Sequence, residues 1–144
     1  MSALINSYAQ IKFSGIATDL NPTTTAVKIT GFDSGTSSPL LVGDYSNSKI
    51  VFADNGSFKL NVIVEANVDD QETYAFFLKV NGVTIGNLDF DIEKKTDSLE
   101  FNVIGYLPAI VEGDEVELYV DSGNAGGSSF IPTHLLMDAF KVGT

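Results

Sequence analysis

His134 is the single histidine of the chain, and there is no cysteine. Those two counts remove most site chemistry at once. Without thiols there is no disulfide, no thiolate nucleophile and no cysteine-ligated metal. A lone imidazole needs carboxylates at fixed geometry to hold a metal or relay protons, and the sequence places none beside it. His134 therefore reads as a core or interface histidine. Gly-x-Ser-x-Gly, the turn that presents a nucleophilic serine, does not occur. Gly82-Val83-Thr84-Ile85-Gly86 has spaced glycines, but no helical period follows, so it reads as a turn and not a phosphate cradle. The chain is not expected to be an enzyme.

Oxygen chemistry is the remaining option. Asp69, Asp70 and Glu72 share one loop, and Asp89, Asp91 and Glu93 line one side of an alternating segment. Ca²⁺ takes about six to eight oxygens, and the alternating acidic run of an EF-hand loop is absent. These carboxylates read as a solvated face that also blocks sheet-to-sheet pairing at an edge. No cofactor is expected; Ca²⁺ is the one ion such oxygens could serve. Tyr45, Tyr74, Tyr106 and Tyr119 could form a carbohydrate platform, but with no tryptophan in the chain they read as packing or interface residues.

The totals narrow the partners. Nineteen acidic residues against eight basic give a net charge of −11 over 144 residues and 15.4 kDa. That sign repels phosphate backbones and anionic lipid surfaces, so neither nucleic acid nor a membrane is an expected partner. The first residues lack the basic and long apolar regions of a signal peptide, and no stretch approaches the roughly 20 apolar residues of a spanning helix. Synthesis in the cytoplasm is the expectation.

What must position any site is β structure. Phe58, Leu60, Val62 and Val64 sit two apart, as do Phe76, Leu78 and Val80, and Val116, Leu118 and Val120. Period two places each set on one side of an extended chain, which argues for antiparallel sheets with a buried face. Further strands are read at 7–16, 26–32, 49–53, 83–85, 88–93, 98–105 and 130–142, the last broken or bulged near Pro132. Asn81-Gly82 suits a type I′ hairpin turn, where both central residues take positive φ. Residues 33–38 read as a soft loop, 43–47 as a turn, and 122–129 as the most flexible segment. About eight to ten short strands with no helical period make a sandwich or barrel. One domain at 8–144 follows an N-terminal arm at 1–7.

Between residues 48 and 142 the pattern resembles the C1q/TNF-like jelly roll, in particular the versions found in bacteriophage structural proteins. Ile50-Val51-Phe52 precedes the glycine-then-aromatic opening Gly56-Ser57-Phe58. Phe76-Phe77-Leu78-Lys79-Val80 then runs into Asn81-Gly82-Val83, Gly113-Asp114 opens Glu115-Val116-Glu117-Leu118, and an apolar strand closes from Leu135 to Val142. The resemblance implies an all-β, antiparallel two-sheet jelly-roll sandwich, usually a homotrimer with one sheet face near a threefold axis. Ile63, Phe77 and Tyr119 lie opposite the core residues of their strands, which fits a second burial surface. With Leu4, Ile5 and His134 they form the expected interface set. The implied function is structural: a virion protein, a bacteriophage head decoration or cement protein that binds the major capsid protein. The alternative is a receptor- or carbohydrate-binding head of a tail fibre or spike.

Overall fold

The structure, a computed structural model, describes residues 7–68, 72–94 and 98–143, with only the course of the backbone over 86–94. Leu4, Ile5 and the Asp69-Asp70 pair lie outside the described residues, as do the side chains of Asp89, Asp91 and Glu93. Among the described residues there are eleven strands: β1 (Tyr8–Ser14), β2 (Val27–Lys28), β3 (Ser34–Ser37), β4 (Leu41–Asp44), β5 (Lys49–Phe52), β6 (Gly56–Val68), β7 (Glu72–Val80), β8 (Val83–Lys94), β9 (Ser98–Ile110), β10 (Glu115–Ser122) and β11 (Phe130–Gly143). A 3-10 turn, Tyr45–Asn47, joins β4 to β5.

All the pairings are antiparallel and make two sheets. The first has the order β3-β1-β11-β6-β9; the second has β4-β5-β10-β7-β8, with β2 also paired to β10. The period-two residues explain why the sheets face each other. Phe58, Leu60, Val62 and Val64 of β6 are fully buried, and so are Phe76 and Leu78 of β7 and Val116 and Val120 of β10. Each such side chain removed from water stabilises the fold by roughly 1.5–3 kcal/mol. An aromatic cluster closes one end: Phe76 meets Phe101 edge-on with centroids 4.6 Å apart, and Phe130 lies between Phe76 and Tyr74 at 5.9 and 5.7 Å. The buried Tyr74 hydroxyl donates to the Ser129 carbonyl at 2.7 Å, which meets its need for a partner.

The hairpin at Asn81-Gly82 forms as the sequence predicts, with φ of 53° and 81°. β11 is bulged between Pro132 and His134, where proline cannot supply its ladder hydrogen bond. Other local expectations are corrected. The soft loop at 33–38 is an edge strand, β3, and Gly43 lies inside β4 rather than in a turn. Both follow from one contact. A Cβ on Gly43 would stand 2.5 Å from the Gln10 carbonyl oxygen and 2.7 Å from that of Thr36, and one on Gly35 would stand 3.0 Å from the Gly43 carbonyl oxygen on the facing sheet. These glycines let two sheets close on each other, a role that composition cannot distinguish from turn-making. The strand expected at 26–32 shrinks to Val27–Lys28, because Gly31 turns the chain away at φ 108°.

The segments 83–85 and 88–93 are one strand, β8. Its register against β7 jumps between Phe77 and Leu78, whose partners are Asp89 and Ile85. The extra residues form a bulge that the sequence shows only as a break in alternation. The segment 122–129 is pinned rather than loose. The Ser122 hydroxyl donates to the Pro22 carbonyl at 2.7 Å, the buried Ser128 donates to Glu72 at 3.0 Å, and Ser129 donates to Asp19 at 2.9 Å.

Candidate interaction face

Burial of one side of β1, β11, β6 and β9 turns their alternate residues outward. Register places those residues in four cross-strand rows. The first is Tyr8, Phe140, Lys59, Tyr106. The second is Gln10, Asp138, Asn61, Ile104, and the third is Lys12, Leu136, Ile63, Asn102. The fourth is Ser14, His134, Glu65, Glu100. Apolar side chains thus recur in three adjacent rows of a face that alternation would leave polar. Ile104 is 65% exposed, Tyr106 47% and Phe140 37%.

The polar members of this face are arranged differently from row to row. His134 Nδ1 lies 3.1 Å from a Glu65 carboxylate oxygen. That is the one imidazole–carboxylate or ammonium–carboxylate contact among the described residues of the four rows, an ion pair when the imidazole is protonated, and both side chains are about 40% exposed. Asp138 sits between Gln10 and Asn61. Burial pushes its carboxyl above the ordinary carboxylate range, and a hydrogen bond with Gln10 only partly opposes this. The Tyr8 hydroxyl is also pushed up, first by burial and then by the nearby Asp138 charge.

The opposite sheet presents a different exterior. Phe77 and Tyr119, both expected in the interface set, are directly paired across β7 and β10. Lys79 Nζ lies 4.2 Å from the centre of the Tyr119 ring. Lys28 bridges to Glu117 at 2.8 Å and Lys49 to Glu115 at 3.0 Å. Burial and then the Glu117 charge push the Tyr119 hydroxyl up. The described members of the expected set therefore divide: Ile63 and His134 lie on one sheet, and Phe77 and Tyr119 on the other. Sequence alternation marks a residue as outward but not the sheet that carries it. Tyr8, Ile104, Leu136 and Phe140 were missed because each sits in a strand whose other outward residues are mostly polar.

Beside the apolar rows, where the β7–β8 hairpin meets the end of β9, a cleft of about 530 Å³ opens between the sheets. Its walls include Val80, Ile85, Tyr106, Leu107, Pro108 and Ile110. Asp114 is the one acid among its described lining residues, and its carboxylate is already occupied by the Asn81 amide at 2.8 Å and the Val111 N–H at 3.0 Å. The cleft is suited to an apolar group, and its acid is structural. Among the described residues no cluster of three carboxylate or imidazole groups is placed to hold a metal. The four candidate tyrosines do not share a surface. Tyr74 is in the core, Tyr45 is in the 3-10 turn, and Tyr106 and Tyr119 are on opposite sheets.

The start of the domain is fixed at one end of this face. Ser7 is fully buried, its hydroxyl donates to Asp54 at 2.6 Å and its carbonyl accepts from Lys141 N–H at 3.1 Å. Lys141 Nζ in turn meets Asp54 at 3.0 Å. Ser7, the first described residue, is thus built into the fold.

No family model matches the chain, and no curated protein matches it. Solved structures do. The crystal structure of murine APRIL at pH 5.0 superposes with a TM-score of 0.59 at 10% identity, covering 94% of this chain and 99% of that one. The globular domain of zebrafish complement 1qA protein superposes with a TM-score of 0.60 at 13% identity, covering 95% and 97%. The fold is the C1q/TNF-like jelly roll, and the match extends beyond the segment 48–142 that resembled it in sequence.

Proposed function

We propose that the chain is a non-enzymatic adhesion module that works as a homotrimer, with the outward face of the β3-β1-β11-β6-β9 sheet covered in the assembly. The observation that carries this is the set Tyr8, Ile63, Ile104, Tyr106, Leu136 and Phe140 in three adjacent rows of one sheet face. A contiguous apolar patch on a sheet marks a binding surface. The cleft at the β9 edge supplies a second, differently shaped apolar surface on the same molecule. A face that receives a neighbour's edge is a heterologous contact, and such contacts form a ring where the rotation between copies closes. A threefold ring is what the jelly-roll resemblance implies. Native mass measured at micromolar and nanomolar concentration tests it. The expected species is three times 15.4 kDa, and a monomer at micromolar concentration overturns the reading.

The setting we propose for this trimer is a virus particle. There it would be a decoration or cement protein bridging subunits of the shell, made in the host cytoplasm and carried on the virion. The resemblance of residues 48–142 to bacteriophage structural proteins and the absence of any recognisable catalytic set in the sequence support this setting. The N-terminal arm, with Leu4 and Ile5, is the proposed contact with the shell protein. Because Ser7 is built into the fold, the informative cut removes residues 1–6 only. That truncation should keep the trimer and lose attachment to particles; unchanged occupancy would count against the cement role.

A further inference from the structure

Asp138 is out of place on the face assigned to the trimer contact. Its strand neighbours on that face are Leu136 and Phe140, with Ile63, Ile104 and Tyr8 in the flanking positions. Its two cross-strand partners, Gln10 and Asn61, are neutral amides. None of the ion pairs among the described residues includes it. The charged and titratable groups that face it are, on β1, Lys12 and Tyr8; on β6, Lys59 and Glu65; on β9, Glu100; and on β11, His134. Lys12 and Lys59 are each one row away, opposite Leu136 and Phe140. His134 and Glu65 lie two rows away and pair with each other.

We infer that Asp138 enters the oligomer contact as the neutral acid, so that assembly takes up a proton at this residue in every chain. The inference rests on the proposed trimer and adds its regulation. An ionised carboxylate covered by a second copy loses its remaining water, and neither Lys12 nor Lys59, the diagonal cations, is in an ion pair with it among the described residues. In the single chain the Gln10 amide donates to the carboxylate; a protonated carboxyl would instead donate to an amide oxygen, which Gln10 supplies by turning its amide over, and the hydrogen-bonding needs of the group are met without charge. In the single chain, burial already favours the protonated form. Covering the face extends the same trend.

The sign follows directly. A carboxyl whose pKa is raised further on assembly makes association tightest below its single-chain pKa. That advantage is lost as pH rises through the value in the assembled state. Sedimentation equilibrium of the full chain from about pH 4.5 to about pH 8 reads it, with Asp138→Asn and His134→Gln alongside. A further rise of about one unit per site is about tenfold per chain, so the wild-type constant for dissociation into three chains should fall by up to about a thousandfold from the alkaline to the acidic end. Asp138→Asn, which keeps the shape and removes the charge, should bind as tightly as acidic wild type and show no such slope. His134→Gln should keep the slope, which shows that the His134–Glu65 contact does not carry it. A wild-type oligomer with a pH-independent constant, or Asp138→Asn retaining the wild-type slope, overturns the inference while leaving the trimer standing. A wild-type chain that is monomeric at every pH overturns both.

Discussion

The two sheets of this sandwich bury equivalent inner faces but finish their outer faces differently. On the β4-β5-β10-β7-β8 sheet, lysines 28 and 49 pair with Glu117 and Glu115, and Lys79 covers the Tyr119 ring. There, among the described residues, the one outward aromatic ring in contact with a charged side chain is Tyr119, beneath Lys79, while Val42 and Val83 stand exposed toward the margins of the sheet. On the other sheet the single imidazole–carboxylate contact among the described residues of the four rows stands at one margin, at His134 and Glu65, and Ile104, Tyr106 and Phe140 are left substantially exposed. An outward aromatic residue is therefore a poor guide to an interface unless its coverage by the same chain is known. Tyr119 and Phe140 look alike in sequence and differ in this respect.

The comparison presumes that the two sheets are locked together, and the largest expected effect attacks that lock. Gly43→Ala places a Cβ 2.5 Å from a backbone oxygen of β1, where no rotamer change can relieve the clash. Unfolding in urea should show a loss of about 3 kcal/mol or more, the upper range for overpacking. A variant as stable as wild type would mean that the sheets are not closed at this edge.

Next in size is a paired test of the faces themselves. Ile63→Arg should weaken self-association by at least about a hundredfold, since it buries an unpaired charge in the proposed contact. Phe77→Arg, the same change on the other sheet, should leave the native mass unchanged. Equal effects from both would erase the distinction between the faces.

The third test concerns the anchor at the end of the apolar face. Burial acts to raise the Asp54 carboxyl, but hydrogen bonds from Ser7 and Lys141 outweigh it and hold the group below its ordinary value. The stability this contributes is present above the ordinary carboxylate pKa and is lost as pH falls through the lower folded value. Lys141→Met should cost about 2 kcal/mol near neutral pH, the scale of a hydrogen bond to a charged group, and should shrink this acid dependence. Thermal unfolding near pH 7 and near pH 3 measures both.

Asn81→Asp is a smaller change on the cleft side. It sets a carboxylate against Asp114, whose oxygen lies 2.8 Å from the Asn81 amide nitrogen, and about 1 kcal/mol of destabilisation is expected. The smallest effect should come from the covered face. Lys28→Met removes a partly exposed ion pair and should change stability by less than about 1 kcal/mol. A larger loss would show that these pairs hold the sheet together and do not merely cover it.

The fold was legible because period-two runs such as Phe58 to Val64 and the Asn81-Gly82 turn carry their physics locally. The parts that were not legible depend on distant contacts. Gly35 and Gly43 are small because a strand on the other sheet passes within a few ångströms, and no neighbour in sequence records that. The bulge in β8 exists only relative to β7. For the candidate face, Ile63 and His134 were readable as outward, but the rows that join them to Leu136, Ile104 and Phe140 are set by register across four strands. Alternation gives each strand's two sides and leaves their assignment to one exterior or the other to the topology.

The anchoring of Ser7 has a mechanical side. β1 lies between β3 and β11 and is hydrogen-bonded to both, while Ser7 is tied to Asp54 and to Lys141 N–H. A pull applied at Ser7 along the chain direction would therefore run lengthwise into β1. It would load two ladders in shear, with many hydrogen bonds sharing the force, and would not peel them open one at a time. A tether attached at that point is placed to withstand tension, which is the load a bridging protein on a pressurised shell would have to carry.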